Sequence, residues 1–600
     1  MRGFANPKFV VGELLAAMLT AVFSLGVALA ALRVSPTSLG LRWKTGGADQ
    51  VLHYEIFASA EHTFPFLPND RLGFPEAQNL FFAPLFDLWS AVVVWGTAAV
   101  VPDGFWALNL YNLGSFLSVG LTSYVFFRAL KLRRITAVVF GVLFATVPFH
   151  FAQLTMGHPF LSNYWAVPLI GILALMTAGE PTDPFAGWVG RASSARLRLA
   201  RRLVPIVVLA PAVAFTQSYY FVFAVLIVGG VWVVRVIAAG LRRDRVRELA
   251  WPTVTMGALV VLVGAELAVL SLNLGDRYEK YFGSRSFAES EAYGGKMIDL
   301  LLPSRLSGIA PLAHRAEFYQ ATTGILRTSE SAFTAVVAAV AIVLCFSLLL
   351  VRLTGASNSV LSDPRIGVLL AGFLIAFLFF ITSGLGTVLA FFVSPEIRGW
   401  SRMSIVVSMF ALGVLATVLE RLLRRRRLFL GALLTISAVA ILDQVPRVAS
   451  VVPIDAVTDV ALRQFTSNLE AHAAADCGIV VLPLKGFPET GPIGGMGDYD
   501  EALPYIAGGS GGDLRWSYGA VDGTHSGDFW QGVSTPTEFA SALGGTDACS
   551  IVVDTAAYAP GPPGAAAPAP WQPWIEAAGQ DPDHPSLTSD DRYLVFDLST

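Results

Sequence analysis

Asp49 lies in GGADQVLHYEIF, shortly after the first long apolar run, where a carboxylate at a membrane edge can take the proton of a hydroxyl nucleophile. The competing reading is a cap: Leu52, Ile56 and Ala60 recur four apart, as on an amphipathic helix lying on a membrane that Asp49 would head. Glu76 and Asp87 follow in the same stretch as candidates for a second acid or a metal ligand, with loop salt bridges as the alternative. Asp87 is the sharper of the two, because it interrupts an apolar run and an acid facing lipid costs about 2.5 to 3.5 kcal/mol. No spacing specifies a metal, so use of a divalent cation stays open.

His158, in the shaped turn Gly157-His158-Pro159, is a candidate donor to a phosphate or sugar; a hydrogen-bonded interfacial histidine is the plainer reading. Arg398 and Arg402, in SPEIRGWSRMS, have guanidinium groups suited to a phosphate. Their spacing of four puts both on one face if the segment is helical. Anchoring beside Trp400 or pairing with Glu396 is the alternative. The 273–332 segment adds Arg277, Lys280 and Arg285 among Tyr278, Tyr281 and Tyr293, a composition that can line a sugar or phosphate cleft.

The elements that must hold these residues are set by composition. Of 600 residues, 54% are hydrophobic and 14% charged, with mean hydropathy +0.60, whereas a soluble protein carries about 25% charged residues. The chain reads as a polytopic α-helical membrane protein, and no basic tail points to nucleic acid. Eleven apolar runs fit spans near 9–32, 104–130, 135–152, 163–178, 203–217, 219–240, 252–272, 333–351, 366–383, 402–420 and 428–442. With the N-terminus cytoplasmic, every dense basic cluster falls on one side; Arg33, Arg42 and Lys44 are exceptions.

That parity decides two ambiguous stretches. Residues 80–101 are apolar enough to span, but a span there would put Lys131, Arg133 and Arg134 outside, so they read as interfacial or re-entrant. Residues 203–240 would reach about 57 Å as one helix against a core of about 30 Å, so they divide at Thr216-Gln217-Ser218. The outer face then receives a first loop (33–103) with interfacial helices, the long loop (273–332) and the tail.

Residues 443–600 read as an extracytoplasmic α/β domain after a transmembrane domain of residues 1–442. A helix over 453–474 leads into the strands CGIVVLPL, CSIVVDT and RYLVFDLS. Cys477 and Cys549 open two of these similar strands. Neighbouring strands would bring them together as a disulfide or as two buried thiols.

LGFPEAQNLFFAP (72–84), PFHFAQLTMGH (148–158), EIRGWSRMSI (396–405) and LRWSYGAVDG (514–523) resemble segments of large bacterial membrane proteins regarded as glycosyltransferases. Together with an acidic first loop and a soluble outer domain, they make the chain similar to the GT-C class of membrane glycosyltransferases. The resemblance implies a GT-C-like fold in the bacterial plasma (inner) membrane and sugar transfer on the outer face with inversion. The donor would be a polyprenyl-phosphate sugar and the acceptor a cell-envelope glycan, lipid or protein. Asp49 matches the class's first-loop catalytic aspartate, although Gln50 stands where many members carry a second acid. The rival expectations are a lipid-linked sugar flippase, which needs broken helices at the bilayer midplane, and a non-catalytic membrane scaffold.

Overall fold

The computed structural model describes residues 7–43, 49–65, 67–79, 87–243, 246–274, 285–323, 334–355, 358–445, 456–488, 490–508, 512–589 and 592–598. Arg277, Tyr278, Lys280 and Tyr281 of the expected cleft, and 80–86 of the apolar 80–101 stretch, lie outside these residues.

Helix covers each of the eleven apolar runs. Among the described residues, eight helical stretches are long and apolar enough to cross a bilayer, while Val167–Ala178 and Pro364–Phe380 are apolar but shorter. The remaining one, Ala195–Ala214, starts earlier than its apolar run because Arg196, Arg198, Arg201 and Arg202 occupy its first turns. The chain is a multi-pass membrane protein. The run at 135–152 divides into Arg134–Ala145 and Pro148–Thr155, since Pro148 has no N–H to continue the ladder and instead starts the second helix. Leu88–Ala98 has 11 residues, about 16 Å of helix, too short to cross a core of about 30 Å. It lies along the bundle with the Trp89 indole donating to the Pro211 carbonyl.

Side-chain contacts sort the helix ends into two groups. At one end Glu13 joins Arg128 and Arg134, each at 2.8 Å. There Asp363 also holds Arg365 at 2.6 Å and Arg421 at 2.5 Å, and Glu420 accepts from the Arg133 backbone at 2.7 Å. At the other end lie Asp49, the turn at His158, Arg402 and the C-terminal domain. Arg42, an exception to the charge pattern, belongs to this second group because Asp459 of the C-terminal domain neutralises it: its backbone N–H donates to the carboxylate at 2.7 Å and both side chains are buried.

The C-terminal domain opens with the helix Ala456–His472 and contains a five-stranded sheet. Its strands are β1 (Gly478–Leu482), β2 (Arg515–Trp516), β3 (Ala548–Asp554), β4 (Leu587–Ser589) and β5 (Tyr593–Asp597), in the order β2-β1-β3-β5-β4. β1 runs parallel to β2 and β3, and β5 is antiparallel to β3 and β4. Cys477 and Cys549, side by side at the start of β1 and β3, form a disulfide with Cα atoms 5.6 Å apart.

Residues 71–74 of the first loop extend this sheet beside β2. The Trp516 N–H donates to the Arg71 carbonyl at 2.9 Å, the Phe74 N–H to the Trp516 carbonyl at 3.0 Å and the Gly73 N–H to the Tyr518 carbonyl at 2.8 Å. Phe74 is fully buried among Val480, Leu482, Trp530 and Ile551. Gly478 is required opposite it, because a Cβ there would lie 2.4 Å from the ring.

The helix Asp49–Ser59 differs from the expected surface-lying amphipathic helix: all residues from Tyr54 to Ser59 are buried. One side packs so closely on Gly104–Ala129 that a Cβ on Gly104 would lie 2.8 Å from the Ala58 nitrogen. The C-terminal domain covers another side through Tyr505, within 3.2 Å of Ser59 Oγ, and Tyr518, within 3.2 Å of Glu55. The apolar stripe at Leu52, Ile56 and Ala60 thus serves a protein interface.

Candidate active site

Asp49 is the first residue of its helix, and its side chain remains 48% exposed although most of the helix is covered. Its Oδ2 lies 3.1 Å from His158 Nε2. The His158 turn is shaped for this approach: Gly157 has φ +79°, and a Cβ there would lie 2.7 Å from the Gln50 nitrogen. Only glycine allows both that backbone conformation and that contact. His158 Nδ1 lies 3.0 Å from Gln153 Oε1. With both ring nitrogens facing oxygen, the imidazole donates twice and is charged, or the Gln153 amide turns over to present its Nε2.

Arg402 supplies the second charge. It is buried, 8% exposed, with its guanidinium 4.2 Å from the centre of the Tyr219 ring. Tyr219 is available there because the two helices Ala195–Ala214 and Ser218–Arg242 separate at Phe215–Gln217, where Gln217 caps the second by accepting from the Tyr219 N–H at 2.9 Å. Partial burial pushes the Asp49 carboxyl upward. The hydrogen bond from His158 and the positive fields of His158 and Arg402 outweigh it, so the carboxyl sits below its ordinary value and is ionised at neutral pH. His53, one turn along, donates from Nδ1 to the Asp49 carbonyl at 2.6 Å.

The structure separates several candidates that the sequence grouped. Arg398 and Arg402 do not share a helical face: Arg398 precedes the 3-10 turn Trp400–Met403, and the α-helix begins only at Ser404. The fully enclosed Trp400 indole, packed near Phe223 and Phe379, fixes that turn. Arg398 instead faces the long loop, with Glu289 at 2.5 Å and the Tyr293 ring at 5.2 Å. The alternative partner, Glu396, is not the residue that holds it. Glu76 faces the C-terminal domain, its carboxylate 2.9 Å from His525 Nδ1, with both side chains mostly exposed. Asp87 is buried and caps Leu88–Ala98, accepting from the Ser90 N–H at 2.8 Å. Glu76 and Asp87 are thus engaged by partners other than Asp49. Among the described residues, no three of His, Cys, Asp and Glu converge as a metal-ligand set.

Gln153, His53 and Tyr219 are the site residues that the sequence did not single out. Their signals are weak: an amide one helical turn before the Gly157 turn, a histidine at i+4 from Asp49, and an aromatic pair just after the Thr216-Gln217-Ser218 break.

A family described as Domain of unknown function (DUF6311) matches residues 15–291. That region includes Asp49, His158 and Tyr219 but ends before Arg402. No curated protein matches the chain. Similar solved structures include the Archaeoglobus fulgidus oligosaccharyltransferase in its apo form and in complex with zinc and sulfate, each 12% identical, with TM-scores 0.40 and 0.41. Those alignments cover 90% and 89% of this chain and 69% and 68% of the other. A mutant of the arabinofuranosyltransferase AftD from Mycobacteria is 13% identical with TM-score 0.48, over 97% of this chain and 41% of that one.

Proposed function

We propose that this protein is an inverting membrane glycosyltransferase of the GT-C type, with Asp49 as its base. The observation that carries the reading is a half-exposed carboxylate bonded to His158 and within the positive field of the buried Arg402, at one end of a membrane bundle. The segments at 72–84, 148–158, 396–405 and 514–523, which resemble those of bacterial membrane proteins regarded as glycosyltransferases, support it independently.

In this reading the donor is a polyprenyl-phosphate sugar and the acceptor a hydroxyl of a cell-envelope glycan, lipid or protein, both reaching the Asp49 end from outside the plasma membrane. Asp49 takes the acceptor proton as the acceptor oxygen bonds to the anomeric carbon. The bond from that carbon to the phosphate oxygen breaks, and the polyprenyl phosphate leaves with the electron pair. Arg402, pre-positioned on Tyr219, stabilises the charge on the leaving phosphate. His158 holds Asp49 ionised and oriented. Among the described residues, the group at Asp49 offers a cation and an imidazole rather than further carboxylates.

The flippase alternative requires helix breaks at the bilayer midplane. The Phe215–Gln217 break lies beside Arg402, at the same end of the bundle as Asp49. The test is release of polyprenyl phosphate from a panel of polyprenyl-phosphate sugars by the purified full chain, followed by mass spectrometry. Turnover that depends on Asp49 supports the reading; transport of the intact donor without its cleavage contradicts it.

A further inference from the structure

A second charged recess lies at the opposite end of the bundle. It has a volume of about 500 Å³ and forms where Val167–Ala178, Ala195–Ala214, Ser218–Arg242 and Ala250–Leu274 come together, with the 179–189 segment across it. Arg201, Arg202, Arg235 and Arg247 line it. Tyr219 and Arg235 stand 16 residues apart on one helix, which separates the recess from the Asp49 site by about 24 Å.

Two of the arginines are held in place without a carboxylate. Arg201 donates to the Trp188 carbonyl at 2.9 Å with its guanidinium 5.5 Å from the Trp188 ring, and Arg202 stacks 5.1 Å from the Trp251 ring. Among the described residues neither forms an ion pair. Arg235 is different, with Glu248 at 3.8 Å. Glu180 and Asp183 also line the recess, but Asp183 is already engaged by the Phe185 N–H at 2.8 Å. Deeper in, the wall turns apolar at Met176, Pro205, Ile206 and Pro252. Outside it, Val204, Val207 and Val208 expose 50 to 67% of their surface on the same helix. Fixed guanidinium groups above an apolar, membrane-facing flank match an anionic head joined to acyl chains.

We propose that this recess binds the phosphate group of an anionic phospholipid, with Arg201 and Arg202 as its principal donors and the Val204–Val208 flank against the acyl chains. Inorganic phosphate shares the head chemistry but lacks the chains. Stacking on Trp188 and Trp251 presets both guanidinium planes, so little side-chain freedom is lost on binding.

The experiment measures binding of short-chain phosphatidylglycerol, the matching diacylglycerol and inorganic phosphate to the detergent-solubilised full chain, by native mass spectrometry and thermal shift. The expected result is saturable binding of phosphatidylglycerol, weakened roughly tenfold by Arg201→Gln with Arg202→Gln. Glu180→Gln, which removes an opposing charge, should strengthen it. Equal binding of diacylglycerol, or unchanged phosphatidylglycerol binding in the double variant, overturns the site. Inorganic phosphate binding that is lost in the double variant while the lipid does not bind overturns the lipid assignment. If the double variant melts early without ligand, Arg202→Lys carries the test. It keeps the charge but loses the stacked fork, so binding between wild type and zero supports the proposal and unchanged binding opposes it.

Discussion

The two sides of the Asp49 site are built differently. The carboxylate side is wedged between the bundle and the C-terminal domain: Asp49 heads a helix closed in by Gly104–Ala129, Tyr505 and Tyr518. The guanidinium side rests on aromatic faces and a partly exposed pair, with Arg402 on Tyr219 and Arg398 on Glu289 and Tyr293. In the proposed transfer, a base aimed at one hydroxyl gains from a fixed position, and a buried guanidinium set on an aromatic face is pre-positioned for a lipid phosphate. The contrast also separates two arginines of similar sequence setting: Arg402 lies within electrostatic reach of Asp49, whereas Arg398 is held by Glu289.

The largest way to break the comparison is to remove its two poles. Asp49→Asn should lower kcat by roughly 10²- to 10⁴-fold, the range for a lost general base, with binding of the donor retained. Arg402→Gln should cost about 10²- to 10³-fold in kcat by removing charge stabilisation of the leaving phosphate. Both are read from the rate of polyprenyl phosphate release.

Loosening the rigid side is the next test. Phe74→Ala empties a fully buried ring position where the first loop joins the C-terminal sheet, so it should destabilise by about 3 to 5 kcal/mol. Limited proteolysis should then cut between the bundle and the C-terminal domain sooner, and turnover should fall with the Asp49 side chain intact.

A pH profile sharpens the electrostatics. His158→Asn removes a hydrogen bond and a positive field that favour ionised Asp49, so its carboxyl should rise. The acid limb of kcat/KM should therefore move upward. Glu55 gives the opposite sign at the domain interface: burial, against the hydrogen bond from Tyr518, pushes its carboxyl up to about 8. Its contribution to stability is full below the ordinary carboxylate value and is lost as pH rises through about 8. Glu55→Gln should flatten the decline in melting temperature from pH 5 to pH 9. A small effect belongs to Arg398→Gln, less than about threefold in kcat, because Glu289 and not the site loses its counter-charge.

The bundle was legible because its signals are local: apolar runs give the helices, and Arg clusters mark one group of their ends. Asp49 and His158 were legible as candidates, but not as partners, since 109 residues separate them and only the Gly157 turn closes the gap. The pairing of 71–74 with β2 was hidden by a separation of more than 400 residues. It explains why Glu76, an acid in the right loop, ends beside His525. The assumption of a helix at Arg398–Arg402 failed because a local spacing rule cannot anticipate the 3-10 turn imposed by the buried Trp400.

The most direct measurement compares Asp49→Asn with Glu76→Gln, two acids of one loop, in the purified full chain supplied with polyprenyl-phosphate sugars. The account predicts that Asp49→Asn loses at least about 10²-fold in turnover while Glu76→Gln stays within about twofold of the wild type. Wild-type turnover by Asp49→Asn, or an equal loss in both variants, would contradict it.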